Sequence, residues 1–332
     1  MRAFFRVEKG PSVGLGHVMR CTALAETLRA EGAAVTFVDA ESTAGTRADA
    51  DETCTRIAAT ANAEANANTE PTWLVVDGYS FRAEYMQWVR AGLSHVRLAY
   101  IDDKREEMPY DLVLRGHLHF APVHARGELA GPAYALLRAR IVEAAHARAK
   151  TAPAQRRALL VTLGGADAAG HTERTLDALA LVAPGDMDER SIVVCVGRDN
   201  PRAASIEARA RALPHHAAVR VGVDLADVLG ACELALTAAG TTTLELACAG
   251  IAALTWPVAD NQVPVAAAAA ALGVARALAA NTAAPDAAAV AMEIGAFLRD
   301  TTAHAAMAAR GPALVDGRGA ERVARALTMF GV

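Results

Sequence analysis

Short apolar runs recur along nearly the whole chain, and each is followed by a helical pattern. Runs at 3–7, 34–38, 73–77, 96–102 and 112–114 read as short buried strands. A second series stands at 159–163, 191–196, 219–221, 234–237 and 252–256. A helix is predicted over 17–31, and the segment from 285 onward is helical and alanine-rich. Strands alternating with helices build parallel sheets through right-handed crossovers. This pattern constrains the chain most, because it fixes an α/β class. It also fixes where a ligand would sit, beyond the carboxyl ends of the strands.

At 332 residues the chain exceeds what one core usually fills. The stretch at 146–156 (HARAKTAPAQR) is charged, small and proline-bearing, as linkers are. The expectation is therefore two domains, 1–150 and 151–332, each Rossmann-like and facing the other across a central cleft. The text at 46–69 is rich in Ala, Asn and Glu, weakly patterned, and reads as a surface helix or loop. No internal repeat accompanies the doubling.

Composition narrows the function. Apolar residues at 53% and charged residues at 21% describe a globular chain. A net charge of −4 provides no field to attract nucleic acid or an anionic membrane, so neither is expected as a partner. No stretch approaches the roughly 20 apolar residues of a membrane span. Cys21, Cys54, Cys195, Cys232 and Cys248 are scattered and form no C-x-x-C pair, which argues for reduced thiols and a cytoplasmic protein. The opening MRAFFRVEKG reads as a first strand, without the pattern of a secretory signal.

Three loops carry candidate chemistry. The first, G-L-G-H-V-M-R at 14–20, follows the first strand. Gly14 and Gly16 allow close backbone approach to a ligand, with Arg20 a turn further on. His17 falls at the helix start, where an imidazole can take a proton from water; a capping or buried structural histidine is the competing reading. The second, A-A-G-T-T-T-L-E at 238–245, again joins strand to helix. Gly240 leaves helix-start amides available to a diphosphate, Thr241, Thr242 and Thr243 add hydroxyls, and Glu245 can accept both ribose hydroxyls one turn later. An ordinary capped turn competes. The third, L-G-G-A-D at 163–167, contributes Gly164, Gly165 and Asp167, with a structural glycine turn as its rival.

Other polar residues end strands in the same way. Asn261 and Gln262 follow the run at 252–256 as amide ligands or a helix cap. Asp77 and Tyr79 end the run at 73–77, and Asp102 and Asp103 the next. His117, His119 and His124 have no spacing that compels a metal, so none is expected. The chain has no Walker loop, complete dinucleotide fingerprint or nucleophile elbow, and no cofactor is implied.

Taken together, these segments resemble a known family. R-V-E at 6–8, S-V-G-L-G-H-V-M-R-C at 12–21, V-D-G-Y at 76–79, D-D at 102–103, G-P-A-Y-A-L-L-R at 131–138, L-G-G-A-D, A-A-G-T-T-T-L-E-L-A-C-A-G-I and A-D-N-Q occur in its order. The family is the UDP-2,4-diacetamido-2,4,6-trideoxy-β-L-altropyranose hydrolases of pseudaminic acid biosynthesis, and the likeness runs from Met1 to about Gly273. It implies a GT-B-type fold, similar to the bacterial lipid-II N-acetylglucosaminyltransferase, with water in place of the sugar acceptor. It implies an inverting, metal-independent hydrolysis of a UDP-sugar, with His17 activating water, Tyr79 beside it and Glu245 holding the nucleotide. Two positions depart from the pattern: Gly170 and His171 stand where relatives carry an asparagine, and Arg115 replaces another. Leu244 stands where a tryptophan is usual. A nucleotide-sugar glycosyltransferase and a non-catalytic nucleotide-sugar-binding module are the alternative readings.

Overall fold

The computed structural model describes residues 1–10, 16–63, 71–165, 167, 169–279 and 286–330. The chain divides into two compact units, Met1–Arg138 with Gly317–Val332, and Ala139–Asp316. This differs from a single cut at 150. Residues 139–150 group with the second unit, and the C-terminal segment returns to the first.

The first unit runs β1 (Arg2–Val7), α1 (Gly16–Ala30), β2 (Ala34–Phe37), α2 (Arg47–Ala63), β3 (Thr72–Asp77), α3 (Ala83–Gly92), β4 (Arg97–Ile101), β5 (Leu112–Arg115), β6 (Val123–Ala125) and β7 (Glu128–Ala130). Its sheet has the order β2-β1-β3-β4-β5-β7-β6. The strands are parallel except β6, which pairs antiparallel with β7. β1 and β3 are buried along their whole length because helices cover both sheet faces. Successive residues of a strand point to opposite faces. Phe5, Trp73 and Val75 therefore pack with α1 on one side, while Phe4, Leu74 and Val76 pack with α2 and α3 on the other.

The second unit runs α4 (Ala139–Lys150), β8 (Ala158–Thr162), α5 (His171–Leu179), α6 (Pro184–Met187), β9 (Ser191–Val196), α7 (Ala203–Ala212), β10 (Ala217–Val221), β11 (Cys232–Ala238), α8 (Thr241–Cys248), β12 (Ala252–Trp256), α9 (Val263–Ala271), β13 (Arg276–Ala277), α10 (Ala287–Arg299) and α11 (Thr301–Leu314). Its sheet is wholly parallel, in the order β10-β9-β8-β11-β12-β13. Counted from β8 this is 3-2-1-4-5-6, the order of a doubly wound nucleotide-binding sheet. The units are thus both Rossmann-like, as the alternation of strands and helices implies.

α4 belongs here because its Arg148 side chain is buried and donates to the carbonyls of Cys232 and Ala249. The last helix, α12 (Gly319–Met329), instead places Ala320, Val323, Ala324 and Leu327 in the first unit's core. The indole of Trp73 donates to the Leu327 carbonyl at 3.1 Å. Gly319 permits this docking, since a Cβ there would lie 2.1 Å from the Ala135 carbonyl oxygen.

Every run read as a strand is a strand. β6, β7 and β13 are additional, and at two or three residues they are too short to show a period. The weakly patterned segment becomes helix α2 as far as Ala63, and residues 64–70 lie outside the described residues. Among the described residues no helix is long and apolar enough to cross a membrane, and the five cysteines are free.

Leu327 is fully buried against the first unit's sheet although it lies near the chain's end. Leu327→Ala should therefore destabilise that unit by about 2–5 kcal/mol. Urea unfolding followed by tryptophan fluorescence should show a lowered midpoint, and an unchanged midpoint would mean that α12 adds nothing to the core.

Candidate active site

In the first unit the strand order reverses between β1 and β3, and open α/β sheets bind ligands beyond the carboxyl ends of their strands at such a reversal. His17 and Arg20 come to this end of the sheet from the first turns of α1, and Asp77 is the last residue of β3. All three are buried. His17 Nδ1 lies 2.6 Å from Asp77 Oδ1. Arg20 grips the same carboxylate, with Nε donating to Oδ2 at 2.6 Å and Nη2 to Oδ1 at 2.5 Å. Its Nη1 donates to both oxygens of Asp103 at 2.8 Å.

Burial opposes every one of these charges, and pairing overcomes it. Burial pushes the Asp77 carboxyl up, but the charge and hydrogen bonds of Arg20, helped by His17, bring it down to about 2. Burial likewise lowers Arg20, yet Asp103 and Asp77 leave it well above its ordinary value. Asp103 also ends below the usual carboxylate range, against burial, because of Arg20. Cys21 is pushed the other way by burial and the Asp77 charge. It stays a thiol, donating to Asp77 Oδ2 at 3.3 Å, and is no nucleophile.

An ionised carboxylate only accepts, so the 2.6 Å contact calls for a proton on His17 Nδ1, and in the neutral ring the lone pair is then on Nε2. That tautomer can act as a base through Nε2. Tyr79 packs its ring edge-on against the imidazole, with centroids 4.7 Å apart. Its loop is set by Glu8 at the end of β1. Glu8 Oε2 accepts from the amides of Tyr79 (2.6 Å) and Ser80 (3.1 Å), and Oε1 accepts from the Ser80 hydroxyl at 2.5 Å. Gly78 is required for this fold-over, because a Cβ there would lie 2.3 Å from Glu8 Cβ. Gly16 opens α1, whereas Gly14 lies outside the described residues.

The other histidines have separate duties. His117 is buried and pushed down to about 4 by that burial, and its Nδ1 accepts from the Leu118 amide. His119 lies 3.2 Å from the Asp103 carbonyl, and His124 is bound to the Tyr134 hydroxyl. Among the described residues no three His, Cys, Asp or Glu side chains are grouped to hold a metal. Arg115, one of the departures from the resembled pattern, is committed to Asp102 at 2.7 Å and Glu128 at 2.6 Å.

In the second unit the order reverses between β8 and β11. The loop after β8 carries Gly164, Gly165 and Asp167. Asp167 serves α5: its carboxylate accepts from the amides of His171 at 2.8 Å and Thr172 at 2.7 Å. The Gly165 carbonyl accepts from the Gly197 amide at 3.0 Å, and a Cβ at 197 would meet that oxygen at 2.6 Å. Gly164 takes φ +104 and would meet nothing within 4 Å if it carried a Cβ. His171 lies buried with its ring edge-on to Trp256.

The loop after β11 leads into α8 through Gly240, and no side chain caps that helix. Thr241 and Thr242 are half-buried in its first turn, while Thr243 is buried and donates to the Ala238 carbonyl. Glu245 is half-buried one turn further along. Asn261 and Gln262 lie in a single 3-10 turn after β12. Gln262 Oε1 accepts from the Val258 amide at 3.0 Å, and its Nε2 stands 3.9 Å from where a Cβ on Gly240 would be. The structure therefore gathers Gly240, Thr241, Thr242 and Gln262 at one helix N-terminus. The sequence alone gave little sign of Glu8 and Ser80, or of Asp77 as the partner shared by His17 and Arg20. Its one signal was charged residues ending apolar strands.

No family profile and no curated protein matches this sequence. Solved structures do match. MurG of Acinetobacter baumannii is 13% identical, with 98% of each chain covered and a TM-score of 0.67. The spinosyn rhamnosyltransferase SpnG with spinosyn aglycone is 18% identical over 97% of this chain and 99% of that one, at 0.62. A putative UDP-N-acetylglucosamine 2-epimerase of Listeria monocytogenes is 13% identical over 98% and 95%, at 0.61. The likeness is one of fold. It extends over nearly all of each chain, and the fold is of the GT-B-like class with two Rossmann-like domains.

Asp77 titrates below the roughly 3.9 of an unfolded carboxyl. Its contribution to stability is present above that pH and lost as pH falls through the folded value near 2. Asp77→Asn, which breaks a buried ion pair, should cost about 3–5 kcal/mol at neutral pH. In urea titrations the gap to the native chain should close between about pH 4 and pH 2. A gap independent of pH would show that the carboxylate charge is not what holds Arg20.

Proposed function

We propose that the chain is an inverting hydrolase that cleaves a UDP-linked sugar to UDP and free sugar. The observation that carries this reading is the His17–Asp77 contact, which leaves His17 Nε2 as a base at a strand-order reversal. Water attacks the anomeric carbon as Nε2 takes its proton. The bond from that carbon to the diphosphate oxygen breaks, and its electron pair leaves with UDP. Tyr79 borders the base and positions the sugar. Residues of the second unit hold the nucleotide. The amides of α8 at Gly240, Thr241 and Thr242 take the diphosphate, and the helix dipole favours its charge. Glu245 accepts the ribose hydroxyls, and Gln262, Asn261 and the Gly164–Gly165 turn border the same ligand. Asp167 acts through α5, whose first amides it holds, and Arg20 acts by fixing Asp77.

The sugar we propose is the diacetamido trideoxy altrose of pseudaminic acid biosynthesis, a choice that rests on the motif resemblance. The second reading is a glycosyltransferase, which the names of the similar solved structures favour. Following UDP release from UDP-sugars with and without acceptor alcohols separates the two. Release that needs an acceptor would exclude hydrolysis, and absence of any release would leave a binding module.

His17→Ala should lower turnover by ~10²–10⁴-fold with UDP affinity retained. Near-native turnover in that variant would remove His17 from the chemistry.

Glu245→Ala should weaken UDP binding by roughly 2–4 kcal/mol in calorimetry. Unchanged affinity would mean that the ribose is held elsewhere.

A further inference from the structure

We propose that the first unit carries a second ligand site, for a small amphipathic anion, at the amino-terminal ends of its strands. A cavity of about 420 Å³ opens where β5 begins, at Leu112. β5 ends at Arg115, which binds Asp102, the neighbour of the Asp103 that holds Arg20, so the strand separates the two places. The cavity is of the size that holds small organic ligands. Its floor is apolar, formed by Leu129, Ala326 and Phe330, and its rim carries Arg126, Arg322 and Arg325. No acidic side chain lines it among the described residues.

Three guanidiniums around one apolar hollow repel one another, and an anion seated among them relieves that repulsion. For Arg126 and Arg325 no neighbouring acid among the described residues does so. Glu321, one turn before Arg325, is paired with Arg318. Neither Arg126 nor Arg325 has a carboxylate partner among the described residues. The hollow is also preformed. The Phe330 ring lies edge-on to Trp73 at 5.0 Å, with the Arg97 guanidinium 5.3 Å from it. Arg126 stacks 5.8 Å from the same ring, which sets a cation against the apolar floor. Arg322 is steadied by its 2.8 Å bond to the Ala133 carbonyl. A ligand with an apolar body and a carboxylate, sulfonate or phosphate head fits this pairing. The concavity favours an inserted molecule over a flat membrane surface.

The test titrates the full chain with anilinonaphthalene sulfonate and with its uncharged analogue phenylnaphthylamine, followed by fluorescence. One-to-one binding of the anionic probe, roughly tenfold or more tighter than the neutral one, is expected from charge-assisted contacts. The variant carrying Arg126→Glu and Arg325→Glu should erase that preference, and Arg325→Ala alone should reduce it. Both positions are exposed, so the fold should persist, as far-UV circular dichroism would verify. Equal affinity for the two probes, or a preference that survives the double variant, would overturn the proposal. Arginine-dependent sedimentation with phosphatidylserine vesicles, without one-to-one probe binding, would overturn it in favour of a membrane contact.

Discussion

A buried guanidinium held between two carboxylates organises the working end of the first unit. Arg20 comes from α1, Asp77 from the end of β3 and Asp103 from just past β4. Three charges taken out of water are costly, and none can lose its partner without leaving an uncompensated charge behind. The three elements are therefore fixed relative to one another at this point. His17 and Tyr79 are placed by the same constraint, because Asp77 holds one and the loop it begins carries the other. Glu8 extends the network, since its carboxylate takes the two amides that turn the loop back over β1.

The second unit uses the same topological device with different chemistry. Two helices begin at its strand-order reversal, and their first amides are treated differently. Those of α5 are taken by the Asp167 carboxylate. α8 starts from Gly240, which has no side chain to offer, and is bordered by threonine hydroxyls and the Gln262 amide. A helix that already has its own carboxylate cap has less to give a ligand anion than one without. The contrast lies in the first amides of the two helices, since those of α5 are already bonded to Asp167 and no side chain caps α8.

Much of this was legible in the sequence. β1, β3, β8, β11 and β12 are apolar runs because both faces are covered, and such runs stand out without knowledge of the partners. The loops after them were legible for the same reason, so His17, Tyr79, Gly240, Thr241 and Glu245 could be named from position and residue type. Asp167 shows where that reasoning reaches its end. A carboxylate after two glycines suits a ligand or a helix cap equally, and only the two amides at hydrogen-bond distance decide. β6, β7 and β13 were hidden because a strand of two or three residues shows no period.

The sequence by itself determined the α/β class, the doubling into two Rossmann-like sheets and the strand-end loops on which chemistry is placed. Each of these follows from local periodicity and from what glycine, histidine or threonine can do at a strand–helix turn. The tertiary structure alone decided that α12 returns to complete the first core and that α4 joins the second. It also decided that Asp77, sixty positions from His17, fixes the tautomer of that imidazole, and that three arginines from β6–β7 and α12 meet over an apolar hollow. These are contacts between residues far apart in the chain, set by how buried charge and apolar surface find partners in three dimensions, and no local pattern records them.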